Sequence, residues 1–171
     1  NRMAQSRGGT LVCVTVLVMA APSVGRGGGH EEFMGGDDAV IRISDEVREA
    51  EAVVALETTI VAHGFPLGEG MSVGLECERR VRAAGAVPAT IGVLDGEIRV
   101  GLAQSELERF DASARKAGPR ELGVCVARSE VGATTVGGTL AVCRAAGISF
   151  MGTGGIGGVH RGTRFDISAD L

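Results

Sequence analysis

Short apolar runs alternate with amphipathic helical stretches along this chain from residue 40 onward. Residues 40–43 are a candidate strand, and residues 53–56 are a compact apolar run of the kind found in buried strands. Ser44 is placed to cap a helix that has Asp45 and Glu46 in its first turn. Strands that alternate with helices build layered domains in which helices cover a sheet. Since 171 residues fit one domain of ordinary size, we predict a single α/β domain over residues 37–171.

The remaining elements are predicted from periodicity and turn residues. Residues 71–84 place Val73, Cys77, Val81 and Ala84 on one helical face, and Gly85 ends that helix. The dipeptide Asp95-Gly96 separates two segments of strand length at 90–94 and 97–100, which predicts a β-hairpin. Segment 121–128 fits either a strand or a helix. Farther elements are a short helix capped by Ser105, a polar loop over 111–119, a helix over 132–146, a strand over 148–151 and a glycine-rich loop over 152–164.

Residues 1–36 differ from the rest of the chain. Arg2 and Arg7 precede the apolar run 11–21, and a stretch rich in glycine follows. This pattern is typical of a secretory or organellar leader, and the alternative is a poorly ordered extension or a gene-model artefact. The apolar run is shorter than the roughly 20 residues that cross a bilayer. We exclude the segment from the predicted fold, and it leaves the location open between the cytoplasm and an organelle such as a mitochondrion, plastid or peroxisome.

Composition excludes several classes of partner. The net charge is −4 and the chain has no Trp or Tyr, which argues against binding a nucleic acid polymer or a membrane surface. A small anion is still a plausible ligand, and of the 17 basic residues only Lys116 is a lysine. No Cys-x-x-Cys pair occurs, so a zinc knuckle is not expected, and buried reduced thiols are favoured over disulfides. The cysteines are Cys13, Cys77, Cys125 and Cys143.

The run from Gly152 to Gly157 matches the pattern G-x-G-x-x-G after a predicted strand. A dinucleotide loop of this pattern should open directly into a helix, whereas here a polar segment broken by glycine follows. The dinucleotide interpretation is therefore disfavoured. Two others stay open: a tight loop after a central strand, and a pocket for a sugar or phosphate lined by backbone.

Five blocks of sequence, in order over residues 40–171, resemble the pseudouridine-5′-phosphate glycosidase family, also called indigoidine synthase A-like. The blocks are residues 54–64, 85–96, 132–136, 153–162 and 165–171. The resemblance implies a three-layer α/β/α sandwich, here truncated at the C-terminus. It also implies reversible cleavage of the C–C glycosidic bond of pseudouridine 5′-phosphate to uracil and ribose 5-phosphate, with Mn²⁺ or another divalent cation, in a homotrimer.

The resemblance also assigns roles to individual residues. Glu57 matches the proton donor, and Asp166 matches the metal ligand. The residues that match substrate contacts or line the pocket are Lys116, Val136, His160, Ser168, Ala169 and Asp170. The family forms an imine on a lysine that follows the block matching 165–171, and Lys116 is not that lysine. Two alternatives follow: an inactive remnant that binds a sugar phosphate or serves assembly, and a different metal-dependent sugar-phosphate enzyme.

The residue types are compatible with this chemistry. Glu57 follows an apolar strand, and α/β sheets place ligands at the carboxyl ends of their strands. A carboxyl kept protonated by a dry pocket can protonate a departing carbon. The alternative for Glu57 is a surface or capping glutamate. His63 and His160 are both candidate catalytic residues, and the alternative for each is a hydrogen-bonded structural histidine. We retain only His160, as a residue that lines the pocket.

Candidate ligand groups occur in two further places. Asp166 and Asp170 converge whether their segment is extended or helical, and oxygen ligands suit Mn²⁺ or Mg²⁺. The alternative is a helix N-terminus that favours acidic residues. Residues 132–135 open a predicted helix, so their N–H groups and hydroxyls are expected to face a phosphate, with Lys116 adding charge.

Overall fold

The computed structural model describes residues 15–18, 40–66, 68–159, 168 and 170, the first four by their backbone alone. Strands and helices alternate through most of this part of the chain. In chain order they are β1 Thr15–Val18, β2 Ile41–Ile43, α1 Asp45–Glu49, β3 Val53–Glu57, α2 Thr59–Ala62, α3 Gly70–Ala83, β4 Val87–Leu94, β5 Glu97–Val100, α4 Gln104–Leu107, β6 Arg115–Ala117, α5 Leu122–Ala127, β7 Gly132–Thr134, α6 Val136–Ala146 and β8 Phe150–Thr153.

One sheet contains all of these strands, in the order β1-β8-β3-β4-β5-β2, with β7 on β4 and β6 on β7. The pairs β3/β4, β3/β8, β2/β5 and β6/β7 are parallel. β3 pairs with the first part of β4 and ends opposite Ile91. Beyond that point Gly92 and Val93 pair with β5 and also with β7, so β7 takes the edge of β4 that β3 has left. The sheet therefore has a break directly after Glu57, the last residue of β3.

Helices cover both faces of this sheet. Alternate residues of β4, such as Ala89 and Ile91, share a buried cluster with residues of α1, α5 and α6. Leu94 shares a second cluster with residues of α2 and α4, and Leu56 of β3 shares a third with α3. The predicted three-layer α/β/α sandwich is confirmed. No helix in the described part of the chain is long and apolar enough to cross a membrane.

Several local predictions are confirmed. Ser44 caps α1, and its hydroxyl accepts a hydrogen bond from the Val47 N–H. Val73 and Cys77 face the core from α3, as the helical spacing predicted. Asp95 and Gly96 have φ angles of 54° and 81°, as a type I′ hairpin turn requires. The ambiguous segment 121–128 is helical over α5.

The cysteines of the described segments are free and buried, as predicted. They are Cys77, Cys125 and Cys143. Burial raises the pKa of the Cys143 thiol to about 11, so this thiol stays protonated at neutral pH. Cys13 lies outside the described residues.

Four local predictions are wrong or have displaced bounds. Ser105 does not cap α4: the cap is Ala103, whose N–H donates to the Glu106 side chain at 2.8 Å. The predicted polar loop contains strand β6, and the predicted helix over 132–146 begins with strand β7 instead. Both strands form because the free edge of β4 accepts β7, which in turn accepts β6. The last strand lies two residues later than predicted, at β8.

Four residues of the predicted leader also belong to the sheet. β1 pairs antiparallel with β8, with Thr15 opposite Thr153 and Val18 opposite Phe150. Excluding the whole segment 1–36 from the fold was therefore wrong for these four residues. The identity of that segment as a leader, and the domain boundary between 36 and 37, stay predictions.

Candidate active site

Glu57 lies at the carboxyl end of β3, and only 8% of its surface is exposed. The hydroxyl oxygens of Thr59 and Thr153 each lie 2.6 Å from a different carboxyl oxygen of Glu57. Burial raises the pKa of the Glu57 carboxyl above its ordinary range; the two hydroxyls oppose this shift, and the nearby charge of Asp170 adds to it. The alternative of a surface glutamate is excluded, and the capping residue of α2 is Thr58.

A buried threonine network fixes the backbone beside Glu57. The Thr58 hydroxyl donates to the Ile91 carbonyl at 2.8 Å and accepts a hydrogen bond from the Thr134 N–H at 2.8 Å. The Thr134 hydroxyl also donates to the Ile91 carbonyl, and the Thr139 hydroxyl donates to Thr134. These side chains occupy the break between β3 and β7, where ladder hydrogen bonds are missing. This network was not predicted from the sequence. The available signal was the occurrence of two Thr-Thr dipeptides, at 58–59 and at 134–135.

An open cleft of about 640 Å³ lies at this end of the sheet. It brings together four of the predicted site residues, Glu57, Lys116, Ser168 and Asp170, with side chains that the sequence analysis did not select. The full lining is Glu57, Thr59, Ile60, His63, Gly64, Phe65, Lys116, Thr135, Gly154, Gly155, Ser168 and Asp170. The predicted residues Asp166, His160 and Ala169 lie outside the described residues.

Asp170 ties the loop after β8 to the start of α6. One carboxylate oxygen accepts the Val136 N–H at 3.1 Å, and the other accepts the Gly157 N–H at 2.7 Å. The Ser168 N–H donates to the Gly158 carbonyl at 2.9 Å. The predicted contact residues Val136 and Asp170 are therefore hydrogen-bonded to each other. A negative side chain at this position also suits the N-terminal end of a helix.

The loop after β8 approaches its neighbours too closely for a side chain at Gly157. A Cβ atom there would lie 2.2 Å from the Ser168 hydroxyl oxygen. Residues 154–159 contain no helix, so the segment lacks the context of a dinucleotide loop. Gly154 and Gly155 line the cleft, which agrees with the interpretation of a loop that lines a pocket.

Lys116 and the start of α6 lie side by side. Lys116 is exposed on β6, and α6 packs against this strand so closely that a Cβ atom at Gly138 would lie 2.1 Å from the Ala117 carbonyl oxygen. The predicted phosphate cradle over 132–135 does not form, because 132–134 is a buried strand and the Thr134 hydroxyl faces the core. Only Thr135, which caps α6 by accepting the Gly138 N–H, lines the cleft.

His63 contributes a ring to the wall of the cleft. Its Nε2 lies 2.9 Å from the Ala114 carbonyl oxygen, and only a protonated ring nitrogen can donate to that acceptor. In the neutral imidazole Nδ1 is then the acceptor nitrogen. Ile60 and Phe65 add apolar surface to the same wall. The sequence analysis retained His160 in place of His63, and one sequence gave no means of choosing between them.

The described residues contain no cluster of three or more candidate metal ligands. Among residues 40–66, 68–159, 168 and 170, no group of three or more His, Cys, Asp or Glu side chains could hold a metal ion. Both carboxylate oxygens of Asp170 already accept backbone N–H groups. The predicted pairing of Asp166 with Asp170 around a cation therefore stays a prediction.

Comparisons with known proteins agree with this architecture. The family described as "Indigoidine synthase A like protein" matches residues 42–171. A pseudouridine-5′-phosphate glycosidase of Dickeya dadantii (strain 3937) is 46% identical over 140 residues, which cover 77% of this chain and 44% of that protein.

Two crystal structures are similar to this chain. An indigoidine synthase A-like protein of Thermotoga maritima MSB8 gives a TM-score of 0.66 at 37% identity, over 77% of this chain and 44% of that one. The prealnumycin C-glycosynthase AlnA, solved in complex with ribulose 5-phosphate, gives a TM-score of 0.65 at 41% identity. The match covers 78% of this chain and 45% of AlnA. The chain spans less than half the length of each of these three proteins.

Proposed function

Because this chain belongs to the Indigoidine synthase A like protein family, we propose that it carries part of the active site of a pseudouridine-5′-phosphate glycosidase. The reaction is reversible cleavage of the C–C glycosidic bond of pseudouridine 5′-phosphate to uracil and ribose 5-phosphate. A relative of that name, 46% identical over 140 residues, supports the substrate class.

The observation that carries this proposal is the environment of Glu57. When a C–C glycosidic bond breaks, the departing base carbon keeps the electron pair and has to receive a proton. A carboxyl can supply that proton near neutral pH only if its surroundings favour the neutral form. Glu57 meets this requirement because it is buried, its pKa is raised, and it borders the cleft.

The other residues of the cleft are proposed to hold the sugar phosphate. Lys116 supplies a positive charge on the exposed strand β6, next to the N-terminal end of α6. A phosphate bound there is stabilised by the charge of the ammonium group. The proposed substrate contacts are Lys116, Val136, His160, Ser168, Ala169 and Asp170.

The metal, the imine, the assembly and the location are further proposals from the family. Mn²⁺ or another divalent cation would be bound by Asp166. The imine would need a lysine other than Lys116, the single lysine of these 171 residues. We further propose a homotrimer, located in the cytoplasm or in an organelle.

The experiment compares Glu57→Gln with Glu51→Gln, a matched change at an exposed glutamate outside the cleft. Uracil release from pseudouridine 5′-phosphate is measured with Mn²⁺, for the 171-residue chain and for the complete gene product. We expect Glu57→Gln to lower turnover by about 100-fold or more while ribose 5-phosphate still binds, because general acid catalysis contributes about that much. Unchanged turnover in Glu57→Gln would refute the assignment.

The similarity to AlnA favours a second candidate function, a C-glycosynthase that joins a pentose phosphate to another carbon partner. This candidate would use the same sugar-phosphate part of the site as the glycosidase, and it differs in the group that is bonded to the sugar carbon. A panel of C-glycosides of ribose 5-phosphate separates the two, because cleavage of another member with pseudouridine 5′-phosphate untouched would favour the synthase. Binding of ribose 5-phosphate with no turnover of any member by the complete gene product would favour the inactive remnant.

A further inference from the structure

We propose that Thr153 is a positioning residue that couples the protonation state of Glu57 to the glycine loop, residues 154–158. The inference rests on the proposed function only for its catalytic meaning, since the contacts that carry it need no substrate. Thr153 was not selected by the sequence analysis. It lies at the end of β8, is 3% exposed, and stands between the carboxyl of Glu57 and the backbone of Gly155.

The hydroxyl of Thr153 has more acceptors around it than it has hydrogens. Its oxygen lies 2.6 Å from Glu57 Oε1 and 2.9 Å from the Gly155 carbonyl oxygen. It also accepts a hydrogen bond from the Gly155 N–H at 3.2 Å. A hydroxyl carries one hydrogen, so it can donate to the carboxyl or to the carbonyl, but not to both.

The protonation state of Glu57 decides which acceptor receives that hydrogen. When Glu57 is ionised it can only accept, so Thr153 donates to Oε1 and its lone pair faces the Gly155 carbonyl. When the carboxyl is neutral with its proton on Oε1, Glu57 donates to Thr153, and Thr153 donates to Gly155. Every polar atom then has a partner of the correct kind. The 2.9 Å contact between Thr153 and the Gly155 carbonyl therefore fits the neutral acid.

The hydroxyl of Thr59, the other hydrogen-bond partner of the Glu57 carboxyl, does not have two acceptors that compete for its hydrogen. Thr59 Oγ1 donates to Oε2 at 2.6 Å and borders the cleft. Thr153 instead borders a small cavity of about 10 Å³ on the core side, where Leu56 and Cys77 are neighbours. The hydroxyl that switches is thus on the buried side of the carboxyl, next to an almost wholly apolar cavity.

The glycine loop is placed so that a change in the hydrogen bond at the Gly155 carbonyl affects the cleft. Gly154 and Gly155 line the cleft, and the Gly157 N–H is held by Asp170. Loss of the proton from Glu57 withdraws the donor from the Gly155 carbonyl, so the hold on the loop weakens once the acid has released its proton. The loop would then respond to the state of the acid within a single turnover.

Several other titratable groups of the described residues face Glu57 from neighbouring elements. Asp170 raises the pKa of Glu57 by charge repulsion, and burial raises the pKa of the Cys77 thiol, which keeps that thiol neutral. His63 also lines the cleft, so a variant at His63 is needed to separate its effect from that of Glu57. The groups are Cys77 on α3, His63 after α2, Lys116 on β6 and Asp170.

The test is an NMR pH titration of the 171-residue chain, labelled with ¹³C at glutamate side-chain carboxyls and glycine carbonyls. We expect the signals of Glu57 and of the Gly155 carbonyl to share one midpoint. In Thr153→Val we expect the midpoint of Glu57 to rise by about one pH unit, because the carboxylate loses a charge-assisted hydrogen bond, and the Gly155 response to disappear. Thr153→Ser should restore both.

Three further variants serve as controls. Thr59→Val removes the other hydroxyl and should raise the midpoint of Glu57 while Gly155 still follows it. Glu57→Gln should abolish the response of Gly155, and His63→Asn should leave it in place. A Gly155 carbonyl that follows Glu57 in Thr153→Val, or that shows no response in the unmodified chain, would overturn the proposal. The readout needs no turnover, so its failure and failure of the glycosidase proposal are distinguishable.

Discussion

Replacing Thr58 by valine changes one hydroxyl to a methyl group in a fully buried site, with almost no change in shape. The hydroxyl of Thr58 donates to the Ile91 carbonyl and accepts the Thr134 N–H. The Ile91 carbonyl keeps a second donor, the Thr134 hydroxyl at 2.6 Å. The Thr134 N–H loses its partner, and the break between β3 and β7 offers no other.

The expected magnitude follows from that orphaned donor. A buried donor without a partner costs about 1–3 kcal/mol, so we expect the free energy of unfolding to fall by about 2 kcal/mol. For a domain of this size that corresponds to a decrease in Tm of about 4–8 °C. Thr139→Val is the matched control, because it removes a donor to Thr134 but leaves no buried N–H without a partner. We expect it to cost about 1 kcal/mol or less.

Urea unfolding followed by far-UV circular dichroism measures both variants, since the chain has no Trp or Tyr to report by fluorescence. The slope of the unfolding free energy against urea should be unchanged, because the buried area is unchanged. A loss in Thr58→Val no larger than that in Thr139→Val would refute the reasoning. It would mean that the Thr134 N–H finds another partner when the sheet relaxes.

Three further predictions concern the helix contacts, the acid and the phosphate site. Gly138→Ala should lower the free energy of unfolding by about 1–3 kcal/mol, because its Cβ would meet the backbone oxygen of β6. The control is Gly123→Ala, where a Cβ meets nothing, and this change should raise the free energy of unfolding by up to about 1 kcal/mol. Equal effects of the two changes in denaturant unfolding would contradict this prediction. Because the pKa of Glu57 is raised in the folded chain, the folded state retains a proton that the unfolded chain releases, so stability should fall as pH rises from the ordinary glutamate pKa through the raised one. Glu57→Gln should flatten that fall, and an identical dependence of stability on pH in both chains would show that folding does not raise the pKa of Glu57. Lys116→Met should weaken ribose 5-phosphate binding about tenfold or more in calorimetry, and less so at high salt; an unchanged Kd would remove Lys116 from the site.

Much of the fold could be predicted because it depends on local rules. The Asp95-Gly96 turn, the Ser44 cap and the apolar face of α3 each follow from a few neighbouring residues. Strands β6 and β7 could not be predicted, because their sequences carry little strand propensity of their own. They form because β3 ends early and leaves an edge of β4 free, which is a fact about distant pairing.

The candidate site shows the same division. The position of Glu57 at a strand end could be predicted from an apolar run followed by an acid, and the structure buries it there. Thr153 could not be found in this way, because it meets Glu57 only through the pairing of β8 with β3. The expected helix start at 132 was displaced to Val136 for the same reason, since pairing with β4 outweighed the local preference.

The position of β8 beside β3 has a consequence for the order in which the protein is made. Thr153 lies 96 residues after Glu57, so β3, β4 and β5 have left the ribosome well before the partner of the acid is synthesised. Local pairs such as the β4–β5 hairpin form early, whereas a contact of this separation forms late. The complete hydrogen-bonded environment of Glu57 therefore forms only when β8 pairs with β3.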